Sequence, residues 1–354
     1  MKYRDDWPEA RDRWQALWEH RYIKRPCLCI QAPRAKRREF PAPVSGEQKW
    51  LDPDYNVRAM LATFESTWYG GESIPSYLLM AGWIVNTYGA TPNFPLETIW
   101  FESIAVDWKQ PPTFAFDFES PWFQKVVALH QAVLAAAGRE DFLVGSPCLL
   151  PGNDLLPLII GSEEFLTSLK DRPRWTRDAI LQLAKNQVAV HRHFHRLQSA
   201  ATEYWYGNAG WMPFWAPELF VGTQSDISCM LSPEMFDEFV RPELDLLGRE
   251  FKNVWYHLDG QSAFQHLPQL CSLPYLKVIQ FTPEPTGPPN GLDHLALYRA
   301  IQDAGKIVHI QVPPGNIKPL VRKLDPRLLC IFTGCDRISD AEDLLENTAR
   351  WVRG

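Results

Sequence analysis

Short apolar runs, each closed by a proline or a glycine, recur along this chain. The first is Cys27-Leu28-Cys29-Ile30, ended by Ala32-Pro33. Residues 142–145 stop at Ser146-Pro147, 204–206 at Gly207-Asn208, 227–231 at Ser232-Pro233 and 254–258 at Asp259-Gly260. Residues 278–281 stop at Thr282-Pro283, 307–312 at Pro313-Pro314 and 329–332 at Thr333-Gly334. Continuous apolar runs of this length between breakers predict strands buried on both faces. Residues 77–85 form one candidate more than a closed set of eight needs.

Helical patterns separate the runs. Ser232-Pro233-Glu234 opens one with a serine cap and a proline at the first position, followed by Met235, Phe236, Phe239 and Val240 at helical spacing. Ser339-Asp340-Ala341-Glu342 reads as a capping box before Leu344 and Leu345. Another helix starts at Ser162, and residues 175–197 are long and periodic. Residues 1–24 form a charged amphipathic helix with Trp7, Trp14, Leu17 and Trp18 on one side. Strands alternating with helices mean a parallel sheet covered by helices. The expected architecture is therefore α/β, a TIM-type (β/α)8 barrel in a single domain over residues 1–354. Residues 41–118 lack the alternation and read as an elaboration on the barrel, with Thr98-Ile99-Trp100-Phe101 as a hairpin strand. No G-x-G-x-x-G follows the first strand and no G-x-x-x-x-G-K-S/T occurs, which counts against a nucleotide-binding fold.

Composition changes this picture in two ways. The 354 residues include 30 prolines and 15 tryptophans. The prolines lie repeatedly just past a strand, where they mark the rim of the barrel. The tryptophans divide between the N-terminal stripe and the stretch holding Trp205, Trp211 and Trp215. That stretch is broken by glycine and proline and follows a strand, so it is expected at the barrel mouth. There it would wall a pocket for a flat or apolar ligand or seal the barrel. A net charge of −6 argues against a nucleic-acid partner or an anionic membrane surface. No apolar run approaches a membrane span, and the N-terminus shows no apolar core of a secretory signal. Seven irregularly placed cysteines read as reduced thiols of a cytoplasmic protein. Cys27, Cys29, Cys229 and Cys330 lie in apolar runs and are expected to be buried packing thiols.

Chemistry in such a barrel sits where the strands end. His257 and Asp259, at i and i+2, share a face of an extended strand end. Cys335 follows the last strand and can approach them across a closed mouth. Histidine, carboxylate and thiolate are all zinc ligands, and three of them with a fourth position open describe a catalytic Zn2+ site. Asp226, near another run, is a candidate general acid or base beside Asp259. Gln311, ahead of Pro313-Pro314, is placed to orient a polar group of a small-molecule substrate. Arg34, with Arg37 and Arg38, follows the first strand on a loop and reads as a solvated face. His191 and His195 share a face of the long helix but lack an accompanying base, and read as surface histidines.

Three segments together resemble one family. They are Trp255-Tyr256-His257-Leu258-Asp259-Gly260, Leu231-Ser232-Pro233-Glu234-Met235-Phe236 with Pro242 following, and Gly334-Cys335-Asp336 with Ala341-Glu342-Asp343-Leu344-Leu345. They look like the uroporphyrinogen decarboxylase-like superfamily, which includes the decarboxylase itself and the methylcobamide:thiol methyltransferases of methanogens. The resemblance covers most of residues 20–354 and implies a TIM-type barrel. The methyltransferases carry a His-x-Cys pair and a distant Cys as zinc ligands. His257 matches the histidine and Cys335 the distant cysteine, while Asp259 stands where the middle cysteine would be. That departure makes the site harder than a thiolate-rich one. The decarboxylase branch needs no metal, and resemblance to it would imply Arg34 as a carboxylate clamp, but Arg34, Arg37 and Arg38 lack its Arg-Gln-Ala-Gly-Arg pattern. The leading expectation is metal-assisted methyl transfer to a thiol, from a methylated corrinoid or a small methyl donor. The alternatives are a metal-independent decarboxylase of a carboxylated aromatic or tetrapyrrole-like substrate, with Asp226 or Asp259 as proton donor, and a non-catalytic corrinoid-binding module. A corrinoid protein and a homodimer are the macromolecular partners left open.

Overall fold

The computed structural model describes residues 1–77, 79, 82–145, 147–201, 208–209 and 212–352, with the side chains of 82–83, 208–209 and 212–213 left aside. Its centre is a seven-stranded sheet. The strands are β1 (Cys27–Pro33), β2 (Thr67–Gly71), β3 (Val221–Gln224), β4 (Val254–Asp259), β5 (Leu276–Thr282), β6 (Ile307–Gln311) and β7 (Leu329–Gly334). Their order is β2-β1-β7-β6-β5-β4-β3. Every pairing is parallel except β1 with β2, which is antiparallel. The first and the last strand of the parallel set are therefore neighbours, with Cys27 opposite Cys330.

The two faces of this sheet are unlike. Leu28, Ile30, Tyr256, Leu258, Ile279, Phe281, Val308, Ile310 and Ile331 point to one face and join the main apolar core, which the helices cover. These helices include α2 (Gly152–Ile160), α4 (Arg241–Phe251) and α5 (Ile338–Trp351). The opposite face carries the alternate residues. In register across six strands it presents Gln224, His257, Gln280, His309, Cys330 and Cys27. His257, Gln280, His309, Cys330 and Cys27 are all buried. A row this polar inside a protein must be satisfied side chain by side chain, because buried polar groups without partners are costly. Trp255 Nε1 donates to His309 Nδ1 at 3.1 Å, and Gln280 Nε2 donates to Thr282 Oγ1 at 2.9 Å.

The N-terminal helix, α1 (Trp7–Trp18), covers the start of this polar face. Trp14 is fully buried, donates its Nε1 to Glu72 O at 3.0 Å and meets Phe214 edge-on at 4.8 Å. Trp7 meets Trp215 at 5.9 Å, and Trp18 Nε1 donates to Trp215 O at 2.9 Å. Trp255, Val278, Ile307 and Cys330 belong to the same apolar cluster. This places Trp215 at the end of the sheet where the strands begin, packed under α1. The expectation that Trp215 walls a pocket where the strands end is corrected: its ring serves to seat the N-terminal helix. Trp205 and Trp211 lie outside the described residues, as does the run at 204–206.

The expected strands at 254–258, 278–281, 307–312 and 329–332 are present with their ends shifted by up to two residues. Leu143–Val144 is a strand too, but it pairs with Ser76–Tyr77 outside the main sheet. The hairpin near 98–101 is Thr91–Asn93 against Trp100–Glu102. The run at 227–231 is not a strand: Asp226–Met230 is a 3-10 turn, and Cys229, expected to be buried, is exposed on it. The cause is non-local, because the Asp154 carboxylate holds the first N–H groups of the turn. Gly82–Tyr88 is likewise a 3-10 helix. Ser232 caps its helix as expected, accepting from Met235 N at 3.2 Å. Ser339 does not cap α5, which begins at Ile338. Helix α3 (Pro173–Ala201) is the long periodic segment, and His191 on it is buried against Phe251 instead of lying at the surface.

Candidate metal centre

At the C-terminal end of β4, Asp226, His257 and Asp259 each offer a ligand atom within 4.8 Å of the others. His257 is buried, while the two carboxylates are open to solvent. His257 and Asp259 lie two residues apart on one face of β4, and their register partners on β5 are Gln280 and Thr282. Asp226 comes from the 3-10 turn that follows β3.

Gln280 and Asp259 flank the two ring nitrogens of His257. Gln280 Oε1 is hydrogen-bonded to His257 Nδ1. With the Gln280 amide nitrogen assigned to Thr282 Oγ1, its oxygen faces the imidazole, and the matching tautomer has Nδ1 donating to it. That leaves the lone pair on Nε2, which lies 3.8 Å from Asp259 Oδ1. A histidine held through one ring nitrogen, with the other close to carboxylates, is an arrangement a metal ion between them could use. Burial keeps the imidazole neutral by lowering its pKa, against the opposite pull of Gln280 and Asp259.

Carboxylates crowd the other side of the site. Asp154, at the start of α2, is buried and accepts from Asp226 N at 3.1 Å, Ile227 N at 3.2 Å and Gln224 Nε2 at 3.2 Å. Gln224 Nε2 also donates to Asp226 Oδ2 at 2.8 Å. Although Asp226 is exposed on one side, the neighbouring walls desolvate its carboxyl and push it up to about 7, and Asp154 and Asp259 add to this by repulsion. Asp154 is raised as well, first by burial. Behind them Glu243 on α4 is fully buried and accepts from Gly152 N at 2.6 Å and from Asn153 Nδ2 at 2.8 Å, so it caps α2. Burial pushes it up to about 7. Carboxylates this close resist joint ionisation, and a cation relieves them. The donor set of one imidazole and two carboxylates suits a divalent ion of intermediate hardness such as Zn2+.

Of the three ligands expected from the sequence, His257 and Asp259 come together and Cys335 does not join them. Cys335 follows β7, and β6 and β5 lie between that strand and β4. At about 4.8 Å per strand this amounts to roughly 14 Å along the sheet. Its backbone N–H donates to Gln31 O, and its side chain packs against the main core. Asp226 takes the third place instead. Asp154 and Glu243 were missed, since neither stands in a motif. The only trace is Pro151-Gly152-Asn153-Asp154, a turn sequence opening an apolar helix.

Gln311 ends β6 and lines a cleft of about 610 Å3 with Thr282, Glu284, Asn290, Pro313 and Thr333. Thr282 is the register partner of Asp259, so the cleft adjoins the imidazole–carboxylate group. Glu284 accepts from Gln261 N and pins the loop after Asp259. Gly260 in that loop has φ +69°, and a Cβ there would meet Glu284 Oε1 at 2.9 Å, so both conformation and space call for glycine. Arg34 is turned away from this cleft. Its Nε donates to Thr67 O at 2.9 Å and its guanidinium reaches Tyr3 O, which makes it a tie between β1, β2 and the N-terminus.

A second group has ligand character. Cys27, Cys29 and Cys330 are all buried, and their sulfurs lie within 4.8 Å of one another. Among the described residues, two places thus have the donors and the proximity to bind a metal ion.

No family model matches the chain, and no curated protein matches it by sequence. Among solved structures it is similar in fold to a methyltransferase from Methanosarcina mazei, with a TM-score of 0.62 over 98% of this chain and 99% of that one at 10% sequence identity.

Proposed function

We propose that this chain is a metal-assisted methyltransferase that passes a methyl group to a thiol, from a methylated corrinoid or a small methyl donor. The observation that carries the reading is the meeting of Asp226, His257 and Asp259 where the parallel strands end, beside a cleft of about 610 Å3. The fold shared with a methyltransferase supports it. The reading takes the six parallel strands as the larger part of a closed (β/α)8 barrel with the cleft at its mouth.

His257, Asp259 and Asp226 would hold the cation, and such a cation supplies Lewis acidity that makes a thiolate available at neutral pH. The residues of the chain do the positioning. Gln280 orients the His257 ring, and Asp154 fixes the turn that brings Asp226 in. Gln311 offers a polar contact on the cleft wall to a small-molecule substrate. The volume suits a small ligand bound between side chains.

Metal content and chemistry test this together. Protein purified without chelator is expected to hold one more equivalent of zinc than its His257→Ala variant, and to demethylate methylcobalamin in the presence of a thiol. Equal zinc in the two proteins sinks the reading. A second reading rests on Asp226. With its carboxyl held at about 7, it is a proton donor near neutral pH, as a decarboxylase of a carboxylated aromatic or tetrapyrrole-like substrate requires. Loss of carbon dioxide release in Asp226→Asn, with zinc content irrelevant to the rate, would select that alternative.

A further inference from the structure

Cys27 and Cys29 lie on β1 and Cys330 on β7. Cys27 and Cys29 are two residues apart and therefore share a face, and Cys330 is the register partner of Cys27. All three are buried, and their sulfurs lie within 4.8 Å of one another. Three buried thiols so close make poor use of space that an aliphatic side chain would fill. They are the donor set that thiophilic cations select over oxygen-rich sites.

The surroundings carry compensating charge. Arg4 is buried and Arg25 partly buried, and both lie within electrostatic reach of the thiols, Arg25 of Cys27 and Cys29 and Arg4 of Cys29. Arg25 forms a two-pronged pair with Glu72, to which Arg13 also binds at 2.9 Å. Arg4 is paired with Asp6 at 2.7 Å. Of the charged groups acting on the thiols, Arg4 and Arg25 are positive and Glu72 is negative, leaving one positive charge in excess. A divalent cation on three thiolates carries one negative charge, so the two balance.

We propose that Cys27, Cys29 and Cys330 form a second metal site, with three thiolate ligands, that binds a thiophilic cation such as Zn2+ and clasps the first parallel strand to the last. The three thiols release their protons to solvent as the ion binds, and no redox partner is needed. The site is separate from the imidazole–carboxylate group and does not depend on the reading of that group.

The test uses the full chain loaded with Zn2+ and, separately, with Cd2+. In the His257→Ala variant the remaining zinc is expected to show a sulfur shell at about 2.3 Å by X-ray absorption, in place of nitrogen and oxygen at about 2.0–2.1 Å. Cd2+ added to the metal-free protein is expected to give a thiolate-to-cadmium absorption band at one equivalent. That band should be lost in Cys29→Ser and Cys330→Ser and kept in His257→Ala. Absence of any sulfur shell and of the cadmium band in the wild-type protein overturns the proposal. So does their persistence in both serine variants. The wild-type measurements decide the matter even where a serine variant fails to fold.

Discussion

At His257 the ring is oriented from one strand away, by Gln280. Removing that partner frees the ring to rotate and to change tautomer. Gln280→Ala is expected to weaken zinc binding at this site by about 10–100-fold, while Gln280→Glu, which keeps an acceptor, should lose less. Competition with a chromophoric chelator reads both. Asp226 makes a pH prediction. Its carboxyl is held at about 7 when folded, against about 3.9 in an unfolded chain. Between those values the folded, metal-free protein binds the extra proton, so stability falls as pH rises from about 4 to about 7. Urea unfolding of the metal-free protein should show this slope, and Asp226→Asn should flatten it; an unchanged slope refutes the assignment. His257 and Asp259 were legible because they end a strand with the turn Asp259-Gly260. Asp154 was not, because its role depends on a turn some 70 residues away. Cys335 was misplaced because adjacency across a sheet cannot be read from position in the chain.

Among the elements, helix α2 is held at its start by a buried glutamate from α4. Glu243→Ala leaves the N–H groups of Gly152 and Asn153 without their acceptor, at a cost of about 1–3 kcal/mol for each group left unsatisfied. Glu243→Gln keeps one acceptor oxygen and should cost less; thermal unfolding ranks the two. Helix α1 is held by Trp14, and Trp14→Ala is expected to lower stability by about 3–5 kcal/mol, measured in denaturant. The strands that sequence shows best are those with apolar residues toward the helices and a proline or glycine after them. Strand β3, Val-Gly-Thr-Gln, escapes because the alternate face is polar and the apolar run disappears. β2 escapes for a related reason: Thr-Trp-Tyr-Gly-Gly is an edge strand inside a segment without alternation. The apolar run after Ser225 misleads in the opposite direction, because Asp154 draws it into a turn.

On the scale of the molecule, the sheet joins the beginning of the chain to its end. If the three thiols hold a cation there, saturation at 100 times its dissociation constant stabilises the fold by about 2.7 kcal/mol. Differential scanning calorimetry should show a higher unfolding temperature with Zn2+ for His257→Ala, and none of that gain when Cys330→Ser is added to His257→Ala. The same adjacency bears on how the protein is made. β1 leaves the ribosome early, yet its parallel neighbour, β7, arrives about 300 residues later, roughly 15–60 s at ordinary rates of synthesis. Only β2 reaches β1 soon, and it shields a single edge. During translation the other edge of β1, with its two thiols, waits unpaired. A nascent chain stalled before residue 329 should therefore expose Cys27 and Cys29 to alkylation, and one released at full length should protect them.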